Sequence, residues 1–287
     1  MKKIIFIFLI TLKFVAVSGG KSNFNFLTIG IDAKAVSMGD AVVSSPISFG
    51  FIYYNPAILS MIESPSVMLS YRNWMVDGDI LYSAIGIKNK FINMALSLHT
   101  LIISNIELRE KPGDPISYFS ARDMAISFSI SPNFKSKFKI GLTTKYILEK
   151  IYVYETNTLS ADLGFLYTLN LKEFELNLGG AIRNIGIPSS IVSFGASTKY
   201  ATNFAKLLLT SELRYRTLEK RFLYGFGSSF EFNSILNFQV GYEFGLYVHS
   251  FKFGLGVKVA KFIVNYAYSP FDYSLPSSHT LSLIYKL

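Results

Sequence analysis

The sequence has no cysteine, one tryptophan and three histidines in 287 residues. Without cysteine there is no disulfide framework, no thiolate metal site and no thiol nucleophile. The histidines, His99, His249 and His279, fall in no metal-ligand spacing, and the HExxH, Walker and GxSxG patterns are absent. The expectation is therefore a protein that is not an enzyme and uses neither cofactor nor metal. A pairing of His99 with a lumenal or rim serine, as in barrel lipases, is the enzymatic alternative; a lone histidine at a strand end is more often a plain polar residue. Charge is also scarce, at 16% of residues. Beyond the N-terminus no apolar run reaches the roughly 18 residues a membrane helix needs, which excludes helical spans there.

What is abundant is the material of strands. Half the residues are apolar, with 26 Phe and 18 Tyr, an all-β composition of high hydrophobicity. The opening "MKKIIFIFLITLKFVAVS" has two lysines, a short apolar stretch and the small-x-small site Ala16-Val17-Ser18. This is the form of a signal peptide at 1–18, cut after Ser18, with no cysteine to carry a lipid. Its loss removes Lys2, Lys3 and Lys13, taking the formal charge from +9 to 9 − 3 = +6. An exported chain is not expected to meet nucleic acid; a basic surface suits anionic lipid headgroups or an acidic envelope.

From residue 67 onward, stretches of about ten residues alternate apolar with small or polar side chains. In "ILNFQVGYEF", Leu236, Phe238, Val240, Tyr242 and Phe244 oppose Asn237, Gln239, Gly241 and Glu243. Strands are predicted near 67–74, 80–88, 91–99, 122–131, 137–150, 156–168, 174–183, 191–200, 204–216, 222–232, 235–245, 249–258, 261–268 and 279–287. Tight breaks such as "NS" at 233–234 alternate with mostly longer ones such as 100–121 and 269–278. A β-sandwich could not bury fourteen oily faces in one core. A transmembrane 14-stranded antiparallel β-barrel turns them to lipid and pairs every backbone group, with short turns facing the periplasm and longer loops outside.

That phasing puts Lys145, Arg183, Glu212, Arg214, Glu231 and Glu243 on the polar faces, where they are expected to line the lumen. A lipid-facing Arg or Lys at the midplane would cost roughly 2–4 kcal/mol. Gly225, Gly227, Gly254 and Gly256 fit barrel curvature or lumen space. The alternating "SHTLSLIYKL" runs to the last residue, a strand of the kind barrel-assembly machinery reads.

One stretch breaks the strand pattern. In "FGFIYYNPAILSM", at 49–61, Asn55 suits a helix N-cap and Pro56 the first helical position, so "PAILSM" is predicted as a short helix.

The N-terminal part resembles the opening of the PorV/PorQ family of outer-membrane proteins, which is similar to the FadL long-chain fatty-acid transporter group. The matching positions are Phe26-Leu27, Ile29-Gly30, Ala33, Ala35, Met38-Gly39, Ala41 and Asn55-Pro56-Ala57, with further likeness at Asp162 and Gly164, Asn184 and Gly186, and His279 and Ser282. Departures are Lys34 where Arg is common, Asp40 and Ile58 where Gly is frequent, and a final Leu287 where an aromatic is usual.

The resemblance implies a hatch at 19–63 folded into the lumen of a barrel at 64–287. It also implies an outer-membrane location, and two functions. The first is a channel admitting hydrophobic small molecules such as long-chain fatty acids; the second is an accessory barrel of type IX protein secretion, partnered by secretion components. A sealed structural barrel is a third possibility. The candidate ligand and hatch residues are Met38, Gly39, Phe51, Tyr53, Tyr54, Asn55, Pro56 and Ala57. Phe49 and Ile52 add apolar surface, and inward basic residues are placed to meet a carboxylate. The alternative is that these aromatics pack the hatch against the wall.

Overall fold

The computed structural model describes residues 23–75, 77–171, 174–245, 251–271 and 276–287. The expected signal peptide and His249 lie outside these residues. The alternating segments form β1 (Ser66–Trp74), β2 (Gly78–Ile87), β3 (Ile92–Leu108), β4 (Ser117–Pro132), β5 (Phe138–Ile151), β6 (Tyr154–Asn170) and β7 (Phe174–Ile185). They continue as β8 (Ile191–Ala201), β9 (Ala205–Arg216), β10 (Arg221–Phe232), β11 (Leu236–Phe244), β12 (Phe251–Val259), β13 (Phe262–Ser269) and β14 (Ser278–Lys286). Each strand pairs antiparallel with its sequence neighbours, and β1 closes the ring on β14 from Ser66↔Lys286 to Arg72↔Thr280. The fourteen-stranded closed barrel is the one the alternation predicts.

One expected loop is mostly strand. The segment 100–121 belongs to β3 as far as Leu108 and to β4 from Ser117. The pairing of these strands shifts between Ile103 and Ile106, where Asn105 takes a left-handed φ of 57°. The extra residue of this bulge reverses the in–out phase, so an uninterrupted period of 2 cannot be followed through it.

The outer wall is apolar. Leu209, Phe226, Phe238 and Phe253, on four different strands, are each about half exposed. Aromatics gather at both ends of the strands, with Phe91, Phe138, Tyr200 and Phe204 toward one and Tyr118, Tyr154 and Phe222 toward the other. Lipid solvates such a band and its aromatic girdles, whereas water would not, and the barrel spans a membrane. No helix among the described residues is long and apolar enough to do so. The protein is expected to fractionate with membranes and to migrate faster unboiled than boiled in detergent gels; recovery as a soluble protein would contradict the barrel.

The two ends differ. Connections 88–91, 133–137, 171–173, 202–204, 233–235 and 260–261 lie at the end that holds Ser66 and Lys286. The opposite end carries the longest ones, 109–116 and 270–277, although 152–153 there is tight.

The core lies inside the ring. From Phe24 to Ile62 the chain forms a plug built of 3-10 turns Asn25–Thr28, Phe49–Tyr53 and Pro56–Met61 and one helix, α1 (Ala33–Ser37). Phe26, Leu27, Ile31, Met38, Phe51, Ile58 and Leu59 are among its fully buried side chains. Ser189 Oγ, in the connection 186–190 at the end opposite the short turns, donates to Phe24 O, and Asn93 Nδ2, beside a short turn, donates to Leu59 O. The plug therefore runs from the loop end to the short-turn end. The helix expected at "PAILSM" is present as a 3-10 helix, the tighter form that suits so short a piece.

Candidate functional site

A plug of such short helices leaves most of its backbone polar groups without local partners, and buried ones must be satisfied from elsewhere. The barrel wall supplies them. Arg72 Nη1 donates to Gly30 O at 2.9 Å and Ser70 Oγ to Ile31 O at 2.6 Å. Ala33 N donates to Ser282 Oγ at 2.8 Å and Val43 N to Glu212 Oε2 at 2.8 Å. Arg214 Nη2 donates to Gly39 O at 2.7 Å, and Ser197 Oγ to Ser44 O at 3.0 Å.

The inward charges group into two clusters. In the first, Arg214 lies 3.0 Å from Glu243 and 3.4 Å from Glu212. Lys252 bridges Glu243 at 2.9 Å and the plug's Asp40 at 3.2 Å. Tyr54 OH completes the cluster by donating to Asp40 at 2.8 Å. Burial on its own would raise the Asp40 carboxyl, but Lys252, Arg214 and Arg72 outweigh it and hold the group below the usual carboxylate range.

The second cluster sits at another bulge, where Arg183 and Asn184 together oppose Asp162. Asn184, at a φ of 59°, donates its N–H to Asp162 at 2.7 Å, and Lys145 lies 2.8 Å from Asp162 and 2.7 Å from the Asn184 side-chain oxygen. Lys145 and Arg183 also approach the Tyr53 ring, at 5.8 and 5.5 Å, and Arg183 the Tyr54 ring at 5.3 Å. These contacts have cation–π geometry in a desolvated setting.

Wall glycines let the plug backbone come close. A Cβ on Gly227 would stand 2.6 Å from Met38 O, and one on Gly225 2.9 Å from Gly39 O. Gly241 faces the same Met38-Gly39 corner, where Gly39 has a φ of 65°. Across the lumen, a Cβ on Gly141 or Gly164 would overlap Pro56 or Asn55. Asn55 Oδ1 accepts from Ala57 N at 3.0 Å, which makes it the N-cap, while its Nδ2 donates to Val43 O at 2.7 Å and to Phe165 O of β6 at 2.8 Å. One side chain thus caps the helix, ties it to the rest of the plug and anchors it to the wall.

The aromatic residues meet at the centre. Phe51 is fully buried, and Tyr53 and Tyr54 are nearly so. Tyr53 packs edge-on against Tyr54, Tyr82 and His99 at 5.3–5.8 Å. His99 is buried among these rings and Phe26, with neither ring nitrogen hydrogen-bonded to a serine or to any other group among the described residues. Phe49 lies lower and borders a cavity of about 370 Å³ at the short-turn end.

The structure therefore brings Met38, Gly39, Phe51, Tyr53, Tyr54, Asn55, Pro56 and Ala57 together in the plug. Lys145, Arg183, Glu212, Arg214 and Glu243 surround it, nearly fully buried. Glu231 stands apart at the mouth, paired with Lys206 at 2.6 Å. Sequence reasoning did not single out Arg72 and Lys252 as site residues, and it named Asp40 only as a departure from the family pattern. The first two lie on the inward phase of their strands, so the alternation alone could have marked them. Asp40 has no comparable signal, because the plug has no period. Asp162 and Asn184 had been noted only as points of likeness, and the bulge contact supplies their physical role. Among the described residues no group of acidic residues and histidines is placed to hold a metal.

No protein-family model and no curated sequence matches the chain. Solved structures do share its fold. The P. putida toluene transporter TodX superposes with a TM-score of 0.62 at 12% identity, over 90% of this chain and 99% of that one. The Ralstonia pickettii toluene transporter TbuX gives 0.61 at 9% identity over 90% and 98%, and a FadL homologue from Pseudomonas aeruginosa 0.58 at 8% over 90% and 99%. At these identities the likeness is one of fold, covering plug and barrel alike.

Proposed function

We propose that the chain is an outer-membrane channel of the FadL type, admitting hydrophobic small molecules with the plug as its gate. The observation that carries this is a fourteen-stranded barrel whose lumen is filled by an apolar, aromatic-rich plug held by wall charges. Two toluene transporters and a FadL homologue share that fold nearly end to end. Met38-Gly39 and Asn55-Pro56-Ala57 are the hinge points of the gate in this proposal, and Phe51, Tyr53 and Tyr54 the surface a hydrophobic ligand would meet. The close fit of Gly141, Gly164 and Gly227 to the plug favours a second reading, a sealed barrel with no traffic. The accessory role in protein secretion rests on the sequence resemblance alone.

The test is uptake by a diderm host whose lipopolysaccharide leaflet slows hydrophobic permeation, with and without the protein. Radiolabelled toluene and radiolabelled oleate are supplied in separate arms. Several-fold faster uptake of either is expected, and the faster arm identifies the ligand class. Uptake of both at the host's own rate would leave the sealed or accessory barrel.

A further inference from the structure

The connections 88–91 and 133–137, which join β2 to β3 and β4 to β5, are tied together at the short-turn end. Asn133 donates its N–H to Phe91 O at 2.7 Å and its Nδ2 to Asn89 O at 3.2 Å. The tie gathers Lys88, Lys90, Lys135, Lys137 and, at the start of β5, Lys139 into one patch, and no acidic residue lies in either connection. Lys88 donates its Nζ to Glu63 O at 2.8 Å and Lys139 its Nζ to Phe134 O, so both meet carbonyls rather than carboxylates. The Glu63 carboxylate itself is paired with Lys286 at 3.1 Å. Lys135 and Lys137 make no side-chain hydrogen bond or ion pair among the described residues, and Lys90 lies over the Phe91 ring at 5.7 Å. Connection 109–116 at the other end is balanced by comparison, with Arg109 and Lys111 beside Glu110 and Asp114.

Like charges gathered on adjacent turns repel, and an anion relieves them. The setting of that anion follows from three phenylalanines, Phe91, Phe134 and Phe138, which share the patch and are exposed. Phe138 belongs to the aromatic girdle of the lipid-facing wall, which marks the headgroup level, and lysines at that level reach phosphates on their long stems. We propose that this patch binds the phosphate of an anionic glycerophospholipid from the leaflet at the short turns, with Lys90, Lys135 and Lys137 meeting the headgroup and Phe91, Phe134 and Phe138 its first acyl carbons. Short turns of such barrels face the periplasm, so the leaflet is the phospholipid one. The lipid is a component of the membrane held outside the ring, not a molecule in the lumen, and the site stands whether the lumen conducts or is sealed.

Because the chain has no cysteine, Ser136→Cys, between Lys135 and Lys137, takes a single fluorescent dye. The labelled full chain is reconstituted in phosphatidylcholine bilayers holding an equal small fraction of nitroxide-labelled phosphatidylglycerol or nitroxide-labelled phosphatidylcholine. At least about three-fold stronger quenching by phosphatidylglycerol is expected, falling toward parity in high salt, since attraction at a membrane surface is screened within a Debye length. Lys90→Gln combined with Lys135→Gln and Lys137→Gln is expected to remove the preference, and arginine at the same three positions to keep it. The same dye at Ser277→Cys, at the opposite end, is expected to show none. Glycerol 3-phosphate in the buffer is expected to leave the preference intact. Equal quenching by the two lipids would overturn the proposal and leave the lysines to an acidic soluble partner. A preference that survives the glutamine variant, recurs equally at Ser277 or is abolished by glycerol 3-phosphate would overturn it as well. Heat-modifiable migration checks that every variant folds.

Discussion

Deleting residues 24–62 is expected to turn the closed barrel into an open, water-filled pore. The strand pairings that close the ring, including β1 with β14, involve no plug residue, so the wall keeps its hydrogen bonds. What the deletion uncovers is largely polar: Ser70, Arg72, Lys145, Asp162, Arg183, Glu212, Arg214, Glu243 and Lys252 all face the vacated space. Freed of the plug, these groups hydrate, and a polar interior is what water-filled barrels have. The wall also carries Met68, Ile80 and Ile147, which pack on the plug and lose that contact. Burial of apolar surface contributes roughly 25 cal/mol per Å², so the deleted form is expected to lose its compact gel form at a lower temperature. Planar-bilayer recording is the measurement. The full chain is expected to conduct little, and the deletion to give large, stable steps. If both conducted alike, the plug would not be the barrier, and its role as a gate would fall with it.

The barrel was legible in the sequence because its physics is periodic. Leu236, Phe238, Val240 and Phe244 face lipid while Asn237, Gln239 and Glu243 face inward, and nothing in that segment interrupts the alternation. Where a bulge shifts the phase, as at Asn105, legibility stopped and strand was taken for loop. The plug has no period to follow. Its one readable element was Asn55-Pro56, where an N-cap and a proline carry a local meaning that survives any tertiary setting. That Asn55 would also bond Val43 O and Phe165 O depends on residues far away in sequence, and no local rule carries that information. The inward charges illustrate the same limit. Alternation shows that Glu212 and Arg214 share a face, but a face does not say what stands opposite. They were expected to line the lumen, and in the structure Glu212 accepts from Val43 N and Arg214 donates to Gly39 O of the plug. The glycines follow suit: Gly227 marked space in the lumen, and the structure fills that space with the backbone of Met38.

Arg214 joins the wall charges to the plug, and Arg214→Met is expected to loosen both. Its guanidinium serves Glu243, Glu212 and the Gly39 carbonyl at once, which its planar fork of donors allows and a point charge does not. Methionine keeps much of the volume and removes the charge. Glu243 retains Lys252 and Glu212 retains Val43 N, but Glu212 loses its ion pair with Arg214 and Gly39 O loses the Arg214 donor. Removing one partner from a buried pair typically costs about 3–5 kcal/mol, because the remaining charge stays buried uncompensated. The expected result is a marked fall in the temperature at which the compact gel form is lost, with flickering conductance as the Met38–Val43 corner detaches from β9–β11. Arg214→Lys is expected to fall between wild type and methionine, since it restores charge without the fork. Arg214→Met combined with Glu212→Gln is expected to recover part of the loss, because the uncompensated carboxylate is then gone. Wild-type thermal behaviour in Arg214→Met, with conductance still closed, would show that the cluster fills space without clamping the plug.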